Sequence, residues 1–188
     1  MTLDLAFSRL IEHTVSMDIA VRIVELTAMH PRLLWADIIA ATVAVFSAAH
    51  RRAPFPFALA VQDLPGFGSA ELRFAIDPVE VAPDHVSRLR RTYASSRLVE
   101  LAAIAVAGLG LYYGGGHEIR DLALRGSGAD YLVDASNHLL EVSGRSRRRD
   151  FEAAWQQRWQ RLTEYRGSGF YVCVAEFATP MGRLAFRE

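Results

Sequence analysis

Residues 126–149, GSGADYLVDASNHLLEVSGRSRRR, decide how the rest of the chain is read. They form two short apolar strands around a polar turn: Asp130 starts the first, Glu141 and Ser143 lie on the second, and Arg145, Arg147, Arg148 and Arg149 follow. Strand side chains alternate between faces, so the length of the turn decides whether the acids meet. A two-residue turn at Ser136-Asn137 predicts Ala135 opposite His138, Leu132 opposite Glu141 and Asp130 opposite Ser143. Asp130, Glu141 and Ser143 then share a face, and Tyr131, Val133, Leu140 and Val142 share the other. A three-residue turn would separate the acids. On the first register, two carboxylates a diagonal step apart suit a hard divalent ion such as Mg2+, whose shell is completed by water and phosphate. Such an ion polarises a phosphodiester and activates water.

Working outward, a helix is expected from Ser95 or Ser96 through the alanine-rich run to Gly108 and Leu109, ended by Gly114-Gly-Gly116. A strand follows at 119–124, and then the two strands of the acidic hairpin at 130–134 and 138–143. Asp150 opens a helix with an apolar stripe of Phe151, Trp155, Trp159, Leu162 and Tyr165, and 170–177 is the next strand. Residues 183–187 are expected as an edge strand. Upstream, 57–61 and 71–76 read as a hairpin around a Pro- and Gly-rich loop, and Pro83-Asp84 starts a helix with Asp84 as its cap. Residues 2–30 carry apolar positions at spacings of three and four, a helical period split near Ser16 and Asp18, and 33–50 reads as an enclosed helix. The fold class is therefore α/β: a central mixed sheet with an α-β-β-β-α-β core and a mainly helical amino-terminal layer. Three segments are expected, 1–54 helical, 55–94 a hairpin and connecting helix, and 95–188 the core, packed as one compact domain.

The order helix, three strands, helix, strand, with Gly128-Ala-Asp130 on the second strand and Glu141-Val-Ser143 on the third, resembles the PD-(D/E)XK nuclease superfamily over residues 95–177. The resemblance implies metal-dependent phosphodiester chemistry. Asp130 and Glu141 would hold Mg2+, and Glu100 in the preceding helix would be an auxiliary acid. Where the family carries lysine, two residues after the acid, this chain has Ser143. Serine holds water but supplies no cation. Arg145 on the same nominal face, or Arg125, would supply the charge, although arginine cannot act as a base. Arg145, Arg147, Arg148 and Arg149 would contact phosphates.

Composition sets the outer limits. The 188 residues carry 21 basic and 21 acidic side chains, so any attraction for a polyanion must be local. All the basic residues are arginine, which excludes lysine chemistry. The lone Cys173 lies in an apolar run and reads as an inert thiol in a reducing, cytoplasmic protein. The amino terminus lacks the pattern of a signal peptide, and the apolar runs 38–49 and 101–113 are too short to cross a bilayer, so no membrane association is expected. The six histidines show no zinc spacing, and no Gly-x-Ser-x-Gly elbow exists. Two readings stand, and whether the chain is an enzyme is open between them. One is a nuclease-like domain that cleaves or binds nucleic acid at a degenerate site. The other is a non-catalytic binding or assembly subunit that keeps the fold and docks on a protein partner, or on its own copy, through the apolar amino-terminal helices.

Overall fold

The computed structural model describes residues 15–50, 52–124, 129–134, 136–164, 167 and 169–188. Its elements are β1 (Ser16–Arg22), a 3-10 turn (Ile23–Glu25) leading into α1 (Leu26–Met29), α2 (Ala36–Ala49), β2 (Phe55–Leu64), β3 (Gly68–Asp77), α3 (Pro83–Thr92) and α4 (Ser95–Tyr113). There follow β4 (Ile119–Leu122), β5 (Tyr131–Val133), β6 (His138–Arg145), a 3-10 turn (Arg148–Asp150), α5 (Phe151–Glu164), β7 (Phe170–Glu176) and β8 (Met181–Arg187). The strands form one mixed eight-stranded sheet in the order β1-β3-β2-β8-β7-β6-β5-β4.

The expected core is present as α4-β4-β5-β6-α5-β7. β4, β5 and β6 pair antiparallel, and β6 runs parallel to β7 through the α5 crossover. β7 is covered on both faces, which is why its whole sequence, FYVCVAE, is buried. Tyr171, Cys173 and Ala175 join the core shared with α4, whereas Phe170, Val172 and Val174 pack with Phe151, Trp155 and Leu162 of α5. Burial pushes the Cys173 thiol up to about 12, so it is not a nucleophile at neutral pH.

α4 fixes the geometry of the site. Its small residues let it sit close to the sheet: a Cβ on Gly144 of β6 would run into the carbonyl of Val99, and one on Gly110 would meet Leu59 and Leu184. By length and composition α4 is apolar enough to cross a membrane, yet 72% of its apolar window is buried inside the fold.

Three expectations change. Residues 16–22, read as helix, form β1, which lies parallel to β3 at the sheet edge. The amino-terminal segment is thus helical only in part, and the helix expected over 2–14 lies outside the described residues. β8, expected at an edge, is interior, antiparallel to β7 and parallel to β2, with Leu184, Ala185 and Phe186 all buried. Asp84 does not cap α3; Ala82 precedes the helix without a side-chain bond, and Pro83 fills the first turn.

Candidate functional site

The hairpin register differs from expectation by two residues. Tyr131 pairs with Leu140, Leu132 with Leu139 and Val133 with His138, so residues 134–137 make the turn and Asp130 is not opposite Ser143. The cause lies at Asp134. Its backbone takes a left-handed conformation (φ 56°), as does Asn137 (φ 55°), and its carboxylate is drawn away from the strand. Oδ2 contacts His117 Nδ1 at 2.6 Å, and Oδ1 accepts the Glu118 N–H at 2.8 Å. A shift of two preserves which residues of β6 share a face.

β5 is only three residues long, so beyond Leu140 the edge of β6 is left without a strand partner. Asp130 covers the start of that edge. Its N–H donates to Leu140 O at 2.9 Å, and its Oδ2 accepts the Val142 N–H at 2.8 Å, replacing the next rung of the ladder with a carboxylate. At this opening a polar pocket of about 460 Å³ forms between α4 and α5. Glu100, Asp130, Glu141, Ser143 and Arg145 all line it, as do Arg97, Tyr131 and Arg158. The structure therefore brings Glu100, Asp130, Glu141, Ser143 and Arg145, all named from the sequence, to one pocket.

Glu141, only 5% exposed, is held from α5. Arg161 Nη1 donates to its Oε1 at 2.8 Å, and Arg158 Nε lies 3.3 Å from the same oxygen. Oε2 is buried with no hydrogen-bond partner among the described residues. Burial lowers the Arg158 pKa; Glu141 opposes this shift, and Arg145 and Arg161 add to it. Glu100 pairs with Arg97 at 3.2 Å on the exposed rim. Tyr131 is pushed up to about 12 by burial and by Asp130, so its phenol stays protonated.

Arg145 lies beside Ser143. Its Nη1 donates to Ser143 Oγ at 2.7 Å and to Gly144 O at 2.7 Å, which folds the guanidinium back over the serine. The pocket lining then carries three carboxylates and three guanidinium groups, a set that can accept an anion, a cation, or both together.

The rest of the arginine run lies elsewhere. Arg147, Arg148 and Arg149 do not line the pocket; Arg148 reaches Glu152 at 3.6 Å and covers the Phe151 ring, and Arg149 lies 3.7 Å from Asp150. Arg125 is outside the described residues. Trp155 and Trp159 stack on each other at 5.4 Å within the α5 packing. Arg97, Arg158 and Arg161 were missed from the sequence. Arg158 carried a signal: 151, 155, 158 and 162 continue one helical stripe, so an arginine stands where the pattern calls for an apolar residue.

A divalent ion fits the donor set in one respect. The orphaned, buried Glu141 Oε2 is an anionic oxygen without a partner, and Asp130 lines the same pocket. Among the described residues no three His, Cys, Asp or Glu side chains are grouped to hold an ion. An ion here would complete its shell with water and phosphate, as Mg2+ does. No family model, curated protein or solved structure matches this chain.

Proposed function

We propose that this chain binds the phosphodiester backbone of a nucleic acid in the pocket between α4 and α5, as a nuclease-like domain related in design to the PD-(D/E)XK superfamily. The convergence of Asp130, Glu141, Ser143, Arg145 and Glu100 on one pocket, at the point where β6 loses its partner strand, carries the reading. The α4-β4-β5-β6-α5-β7 order, with β6 parallel to β7, supports it.

In this reading Arg145 and Arg158 grip the phosphate oxygens, because a guanidinium offers paired donors in one plane. Asp130 and Glu141 hold Mg2+, which would supply polarisation of the phosphodiester and an activated water. Arg145 takes the electrostatic part of the motif lysine. It does not take a proton.

One observation favours a second reading, binding without cleavage: Arg158 and Arg161 both sit on Glu141 Oε1 and compete with a metal for that carboxylate. Cleavage of single- and double-stranded DNA and RNA with Mg2+, by the protein and by Asp130→Ala and Glu141→Ala, separates the two. Cleavage lost in both variants supports hydrolysis at this pocket. Binding without cleavage in the parent supports the second reading, and cleavage that survives both changes contradicts the site.

A further inference from the structure

A second cavity, of about 640 Å³, opens on the far side of α4 from the acidic pocket. It lies past the carboxyl ends of the parallel strands β6 and β7, bounded by Ser146 after β6 and Phe177 after β7. Sheets of this type leave crevices for ligands outside the carboxyl ends of their strands. The close approach of Gly144 to Val99 closes α4 onto β6 between the two pockets.

The floor of the cavity is apolar. Ala44, Leu98, Val99 and Phe177 line it and are buried, and the small Ala48 keeps the α2 side open. The polar groups are few and lie at the rim: Arg90 of α3, Ser95 at the start of α4, and Ser146. Arg90 Nη2 donates to Ala44 O at 2.9 Å, which fixes the guanidinium at the mouth, and it has no carboxylate partner among the described residues. The amino end of α4 adds partial charge of the same sign. A concave apolar site of this size with a few polar groups at one end has the build of a small-molecule pocket.

We propose that this cavity binds a small organic anion with an apolar body, its carboxylate paired with Arg90 and its hydrocarbon part lying on Leu98, Val99 and Phe177. The rim hydroxyls of Ser95 and Ser146 are available to the same carboxylate. The ligand is recognised by charge at one end and by apolar area along the rest.

Calorimetric titration of the protein with acetate, butyrate, hexanoate, octanoate and 1-octanol tests the assignment. Affinity is expected to rise by about fourfold for each methylene buried, and octanoate to bind at least about tenfold more tightly than octanol, the gain of one charge-assisted pair. Arg90→Gln should erase the preference for acid over alcohol while leaving octanol binding in place. Ala48→Phe should place a ring across the α2 side of the cavity and weaken both. Both positions are exposed on helices, and far-ultraviolet circular dichroism checks that each variant folds. Affinity independent of chain length, an acid preference that survives Arg90→Gln, or binding left unweakened by Ala48→Phe would each overturn the proposal.

Discussion

The two oxygens of Glu141 have different fates: Oε1 is shared by two guanidinium groups, and Oε2 is buried without a partner. Removing the carboxylate leaves Arg158, whose side chain is 17% exposed, with an uncompensated charge. Glu141→Ala is therefore expected to cost about 3 kcal/mol in urea unfolding, in the range for breaking a buried pair. Glu141→Leu combined with Arg158→Met should recover most of that loss, because an apolar pair removes both desolvated charges. Arg161 is different. Its side chain is 55% exposed, so Arg161→Ala should leave the fold intact while taking a competing cation off Oε1. Mn2+ binding measured by calorimetry is expected to tighten severalfold; unchanged affinity would mean that Glu141 is not the ligand.

At the scale of elements, α4 is the part on which the site depends. Gly144→Ala would drive a methyl group into backbone, the Val99 carbonyl, and should cost about 3 kcal/mol, at the upper end for overpacking. Gly110→Ala meets only the movable ends of Leu59 and Leu184 and gains helix propensity, so its net effect should stay within about 1 kcal/mol. Unfolding of the two variants side by side checks whether the α4–β6 contact is the tighter one.

His30 ties α1 to the same helix. Its Nε2 donates to Gly108 O at 3.1 Å, and its Nδ1 accepts the Ile119 N–H at 3.0 Å, an arrangement that only the neutral ring satisfies. Burial lowers its pKa to about 4 from 6.5. The unfolded chain thus takes up this proton as pH falls through about 6.5, while the folded one resists until about 4. The His30 contribution is fully present above 6.5 and declines across that window, by roughly 3 kcal/mol in total. His30→Gln should flatten the slope of stability against pH between 6.5 and 5, above the range where most carboxylates titrate.

The same elements show what the sequence carried. α4 and β7 were legible because burial on all sides leaves a continuous apolar run. The acidic hairpin was legible as two strands, but its register was not, since the pull of His117 and Glu118 on Asp134 joins segments seventeen and sixteen residues apart. β1 was hidden by two periods fitting one segment: Val15, Ile19, Ile23 and Leu26 read as helix, whereas Met17, Ile19, Val21 and Ile23 alternate as strand. β8 gave no sign of its interior place, because strand order depends on pairing between distant segments. Of the candidate site, Asp130, Glu141 and Arg145 were named from the hairpin's strand pattern and meet in the pocket, and Arg158 was passed over although it interrupts an apolar stripe.

For the whole molecule, equal numbers of acidic and basic residues leave no net field, so affinity for a polyanion must arise where arginines are locally concentrated. Among the described residues such places include the pocket with Arg97, Arg145 and Arg158, the exposed run Arg147, Arg148 and Arg149, and Arg88, Arg90 and Arg91 on α3. The phosphate is proposed to lie in the pocket. The most direct test is the salt dependence of oligonucleotide affinity for the parent, for Arg145→Gln, and for a variant with Arg147, Arg148 and Arg149 all changed to Gln. Arg145→Gln is expected to weaken binding by about tenfold and to lower the slope of log affinity against log salt by about one, the loss of one phosphate contact. The triple variant should change both far less. Affinity and slope that hold in Arg145→Gln and collapse in the triple variant would contradict the assignment of the phosphate to the pocket.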